Sequence, residues 1–167
     1  RNELCRQRVI ETVEFLLRDM KVGDAFAASI SSGSQNDDAK YYTWSEAEID
    51  AALVGTFSAR FKQVYGITRD GNMLGRNLPR RLGNPAPANE ADEVLLAKQR
   101  GMLLALRDKR SRPLRDDRVL PNLNGLAISA LARAGIALDK PEWIQAAINA
   151  FNAVVKELGG ADNSLSH

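Results

Sequence analysis

Apolar residues in this chain recur at helical spacing rather than in alternation. Between Glu3 and Met20, Leu4, Val9, Ile10, Val13, Leu16, Leu17 and Met20 return every three or four positions. Arg6, Arg8, Glu11, Glu14 and Arg18 take the other side, so the pattern predicts an amphipathic helix ended by Gly23. Residues 24–39 are rich in Ser, Asn, Asp and Gly and read as a polar loop. Lys40–Trp44 is a short extended piece with three aromatic rings. It reads either as a plug closing one end of the core or as a stacking surface for a flat ligand. Ser45 and Glu48 form a capping box that opens a helix through Ile49 and Leu53. Thr56 starts another, with Phe57, Phe61 and Val64 on one face and Gly66 at its end.

Gly71, Asn72, Gly75 and Asn77 then make a turn-rich link, continued by residues 80–89 with Pro85 and Pro87. Glu90–Lys109 is a long helix carrying Val94, Leu95, Met102, Leu103 and Leu106. After it, Pro113 and Pro121 bracket a stiff loop holding Arg115, Asp116, Asp117 and Arg118. Asn122 is placed to cap a helix of small residues that carries Leu126, Ala130, Leu131 and Ala134 and stops at Gly135. Asp139 and Pro141 open the last helix, with Ile144, Ala147, Ile148, Phe151, Val154, Val155 and Leu158 expected inward and Gly159-Gly160 closing it. No alternation is long enough to build a sheet. The expected class is all-α, about six helices in successive antiparallel hairpins, in one domain spanning residues 1–167.

Composition narrows the chemistry. At 167 residues the chain is long enough for a real core, and its net charge of +2 without a basic stripe argues against a nucleic-acid partner. No apolar run approaches the ~20 residues of a membrane span, and no secretory signal pattern is present, so the expected location is the cytoplasm. One cysteine and one histidine are a poor supply for a metal, and no cofactor motif is present: GNMLGRN lacks the GK[ST] ending and preceding strand of a phosphate loop. Cys5 reads as a half-buried packing residue and Trp143 as core filling. His167 is a terminal residue that could titrate near neutral pH.

Asp116 and Asp117 are the candidate catalytic residues. Adjacent acids serve as general acid and base when a fold raises the pKa of one of them. The alternative is that Arg112, Arg115 and Arg118 neutralise both, which lowers those pKa values and pins the loop. Asn124 is placed to bind a ligand hydroxyl or to support the helix start.

The ordered anchors KYYTWS, GNMLGRN, RSRPLRDDRVLPNLNGLAISALARAG and SLSH resemble the YyaL-like, spermatogenesis-associated, thioredoxin-domain-containing family. The resemblance covers most of residues 8–167 and is most specific over Arg112–Gly135. It implies an internal slice of a larger protein in which a thioredoxin-like domain precedes an (α/α)6 toroid of the six-hairpin glycosidase type, similar to N-acylglucosamine 2-epimerase. The slice would hold part of that toroid and none of the thioredoxin domain. The family's Phe-Tyr-Val-Trp element falls on Tyr41–Trp44. Its Gly-Asn…Gly-Lys-Asn element falls on Gly71, Asn72, Gly75, Arg76 and Asn77. Its Arg-Pro-His-x-Asp-x-Lys element falls on Arg112–Arg118, and its Trp-Asn-Gly-Leu element on Leu123–Leu126.

The resemblance implies a carbohydrate ligand, bound or processed around Asp116 and Asp117 by Tyr42, Trp44, Asn77, Arg112, Arg118 and Asn124. The chain departs from the family's acidic loop at Ser31 and Gly33, from its histidine at Leu114, from its lysine at Arg118 and from its tryptophan at Leu123. Those departures favour a non-catalytic helical scaffold or partner-docking module, while the retained Asp-Asp-Arg and Asn-Gly anchors favour the sugar reading. Half a toroid also implies an exposed apolar seam and self-association through it.

Overall fold

A computed structural model describes residues 3–32, 40–54, 56–83 and 89–158. Among them are six helices: α1 (Glu3–Asp19), α2 (Glu46–Leu53), α3 (Thr56–Tyr65), α4 (Glu90–Arg107), α5 (Pro121–Leu138) and α6 (Pro141–Leu158). The only strands among the described residues are two-residue pieces: β1 (Lys21–Val22), β2 (Ala25–Phe26), β3 (Ser29–Ile30) and β4 (Arg115–Asp116). β1 pairs with β2 and β3 with β4, both antiparallel. The protein is all-α. Its chain divides into two compact units, one made of residues 1–30 and 115–167, the other of residues 31–114.

The first unit gathers Val13, Phe26, Leu131, Trp143, Ala147 and Ala150 into one core, so Trp143 fills it as expected. Residues 24–30 are not a free polar loop: Ala25, Phe26 and Ala27 are buried. Gly23 does not end α1 but sits at φ +58° in the two-residue turn between β1 and β2. Ladders this short carry too little alternation to be read from sequence. Cys5 is exposed rather than half-buried.

The start of α5 also differs from expectation. Pro121 occupies its first turn, where a missing amide costs nothing, and no side chain caps it. Asn122 instead turns its Oδ1 to the Leu123 amide, 2.9 Å away. Gly135 does not stop the helix, which runs on to Leu138 and ends at Asp139 in the left-handed conformation, φ 55°. The Lys140 amide closes that end by donating to the Gly135 carbonyl at 2.8 Å. Gly135 is buried because α6 crosses there: a Cβ at this position would lie 2.6 Å from Ile144 Cγ1.

α6 turns Trp143, Ala147, Ala150 and Val154 inward, so Trp143, Ala147 and Val154 lie as expected, whereas Ile148, Phe151 and Val155, expected inward, are exposed. On α5, Leu126 and Ala130 are exposed, while Asn124, Leu131 and Gly135 are buried.

In the second unit Trp44, Ile49, Leu53, Phe61, Val64, Tyr65, Ile67, Leu96 and Leu103 form the core. The capping box of α2 is made as expected: Glu48 N donates to Ser45 Oγ at 3.1 Å and Ser45 N to Glu48 Oε2 at 2.7 Å. Gly66 follows α3 at φ +65°. The inward positions of α4 are Leu96, Gln99 and Leu103, spaced three and four apart, whereas Val94 is exposed.

Candidate functional site

The eight candidate residues fall four to each unit: Asp116, Asp117, Arg118 and Asn124 in the first, Tyr42, Trp44, Asn77 and Arg112 in the second. In the first unit β4 carries Asp116, whose carbonyl accepts from Ala28 N at 3.0 Å. The chain then turns so tightly that Arg118 folds back on the acid two residues earlier. Arg118 Nε lies 2.9 Å from Asp116 Oδ1 and its NH2 2.5 Å from Oδ2, and the Arg118 amide adds a bond to Oδ1 at 3.1 Å. This two-pronged grip, more than any other influence, holds the Asp116 carboxyl below its ordinary pKa. Asp117 receives Arg115 Nε at 2.5 Å, and the same guanidinium donates through NH1 to the Asp19 carbonyl at 2.9 Å. Arg118 is 75% exposed, so the pair sits in water rather than in a cavity.

Asn124 is fully buried and its bonds are spent on backbone. Its Oδ1 accepts from Phe26 N at 2.8 Å, and its Nδ2 donates to Phe26 O and Leu120 O, each at 3.0 Å. It thus fastens β2 to the uncapped start of α5. Of the two roles open to it from the sequence, a ligand contact or support of the helix start, its bonds are those of the second.

In the second unit Trp44 and Asn77 meet as an antiparallel bridge, Trp44 N to Asn77 O at 2.8 Å and Asn77 N to Trp44 O at 2.7 Å. The Asn77 side chain is 1% exposed; its Oδ1 accepts from Thr68 N at 2.9 Å and its Nδ2 donates to Thr68 O at 2.9 Å. Trp44 is buried beneath Arg110, whose guanidinium carbon lies 3.8 Å from the ring centre. Arg110 NH1 also donates to the carbonyls of Lys40 and Thr43, both at 2.7 Å. Tyr41 and Tyr42 pack edge to face at 4.8 Å, with Arg107 over both rings. Arg112 is largely exposed, and its guanidinium lies 4.0 Å from the Asp108 carboxylate.

Arg76 was legible only as one position of a turn motif, yet it ties this region together. It donates through Nε to Thr43 Oγ1 at 2.9 Å and through NH2 to Thr43 O at 3.0 Å and Glu48 Oε2 at 2.6 Å. Burial pushes the Glu48 pKa up, but the bond from Ser45 and the charges of Arg76 and Arg110 outweigh it and leave it lowered.

Two surface grooves lie away from these residues. One of about 510 Å³ runs along Gln63, Val64, Gly66 and Arg80. The other, about 590 Å³, runs between α1 and α5 along Val9, Val13, Ala130 and Ala134. Neither is lined by any of the eight candidates. Among the described residues no three His, Cys, Asp or Glu side chains gather as a metal set would, and no helix is long and apolar enough to cross a membrane. Ser31 is among the described residues, whereas Gly33 and His167 lie outside them. Comparison with protein-family models and with curated proteins finds no match, so function is argued from the chemistry of these side chains.

Proposed function

We propose that this chain is a non-catalytic helical module, a segment of the α/α toroid of a thioredoxin-domain-containing protein. The observation that carries the reading is the pairing of both acids: Asp116 with Arg118 and Asp117 with Arg115. A general acid at neutral pH needs a raised pKa, whereas the Asp116 pKa is lowered. The aromatic rings support the same reading, since Trp44 is covered by Arg110 and has no open face for a sugar. The α5–α6 hairpin, packed tightly at Gly135, supports the toroid part of the proposal.

The module self-associates through α6. Ile148, Phe151 and Val155 form an exposed apolar stripe, and residues 143–155 carry no charge.

The test is a calorimetric titration with monosaccharides and their amino derivatives, run beside Asp116→Asn. No saturable heat is expected from either protein. Saturable binding that Asp116→Asn abolishes would restore the sugar-processing alternative.

A further inference from the structure

Arg107, in the last turn of α4, is half-buried and its Nε is closed off from solvent with no hydrogen-bond acceptor. Its guanidinium carbon lies 5.2 Å from the Tyr41 ring centre and 5.8 Å from that of Tyr42. Among the described residues it forms no ion pair. The neighbouring cations do: Arg76 reaches Glu48 at 2.6 Å and Arg110 reaches the same carboxylate at 3.5 Å. Among the described residues, two of these three guanidiniums share the Glu48 carboxylate and Arg107 stands apart from it, an excess of two positive charges over that one acid.

A half-buried guanidinium without a counter-ion is costly, because desolvation is not offset by pairing. Cation–π contact with two tyrosines recovers part of that cost, but it leaves the donors of the fork unused. Burial, together with the positive charges of Arg76 and Arg107, also lowers the pKa of Arg110, as expected where cations are crowded. We propose that Arg107, beside Tyr42 and in the positive field of Arg110, binds a phosphate-type dianion. Two excess charges match a dianion, and a guanidinium fork offers paired donors to two of its oxygens. The site does not depend on the scaffold reading and uses none of the first unit's acids.

Inorganic phosphate and phenyl phosphate distinguish a free ion from a monoester whose ring could lie against Tyr42. Each is titrated into the whole chain at constant ionic strength, and backbone amide shifts are followed by NMR. Saturable shifts at residues 40–44 and 107–110 are expected, with affinity falling about tenfold or more in Arg107→Gln and unchanged in Arg133→Gln, an exposed arginine on α5. The tighter of the two probes assigns the source of the phosphate. Should Arg107→Gln fail to fold, Arg107→Lys keeps the charge over the tyrosines and loses the fork, and a several-fold weakening is expected. Absence of saturable shifts in the unaltered protein, or equal weakening by Arg133→Gln, overturns the proposal.

Discussion

Replacing Gly135 by alanine sets two known effects against each other. In a helix interior alanine is favoured over glycine by about 0.8–1 kcal/mol, because glycine loses more backbone freedom on folding. At Gly135, however, the new Cβ would lie 2.6 Å from Ile144 Cγ1, 3.0 Å from Lys140 O and 3.2 Å from Ile144 N. The closest of these atoms is on a side chain, but the other two are backbone, so even after Ile144 repacks the start of α6 must give by a few tenths of an ångström. Overpacking of this kind costs about 1–3 kcal/mol, which overtakes the propensity gain. The net effect expected of Gly135→Ala is therefore a destabilisation of up to about 2 kcal/mol. Gly125, ten positions earlier on α5, and Gly101 on α4 have open space where a Cβ would go. Alanine at either is expected to stabilise by about 0.5–1 kcal/mol. Urea denaturation followed by circular dichroism reads all three, comparing midpoints at unchanged slope. A Gly135→Ala protein as stable as the parent, or a Gly125→Ala protein weakened to the same extent, would refute the claim that close helix crossing fixes this glycine.

Other substitutions test the polar framework. Asn77→Ala leaves the amide and carbonyl of Thr68 without their buried partner, and a loss of about 2–4 kcal/mol is expected in the same denaturation assay. Ser45→Ala breaks the capping box of α2 and should cost about 1 kcal/mol; loss of less than a few tenths would count against its role. Burial pushes the Glu93 pKa up, but Arg81 at 2.5 Å and Arg100 at 2.9 Å outweigh burial and leave it lowered. The stability this carboxylate contributes is present above its unfolded pKa and is lost as pH falls through the lower folded value. Stability measured from neutral pH down past the ordinary glutamate range should therefore fall less steeply in Glu93→Gln than in the parent.

Helices were legible where caps and periodicity agreed. Ser45 and Glu48 announced α2, and Pro141 announced α6, because each signal depends only on residues a turn apart. The inward faces of α5 and α6 were legible only in part: Leu131, Ala147 and Val154 are buried as the periodicity suggests, whereas Leu126 and Phe151 are exposed and Ala150 is buried in their stead. Gly135 carried the same ambiguity: a glycine late in a helical pattern reads as a stop, and only the neighbouring helix reveals it as a contact. The ion pairs of Asp116 and Asp117 were foreseeable from the arginines around them. The role of Arg110 was not, because its partners lie some seventy residues away in sequence, at Lys40, Tyr41 and Thr43.

The pairing of Ile30 with Arg115 has a consequence for how the chain assembles. Segment 31–114 leaves and returns at that one ladder, and its own ends are joined by a bond from Ser31 N to Leu114 O at 2.8 Å. If this 84-residue excursion were still unstructured, bringing β3 to β4 would cost about 4 kcal/mol in closure entropy. Once the excursion has closed on itself, that cost has already been met. Its maturation therefore primes the outer halves of the polypeptide to join. Excising it and splicing Ile30 to Arg115 through an Asn-Gly turn should spare those halves the wait, so that they refold faster than in the uncut chain.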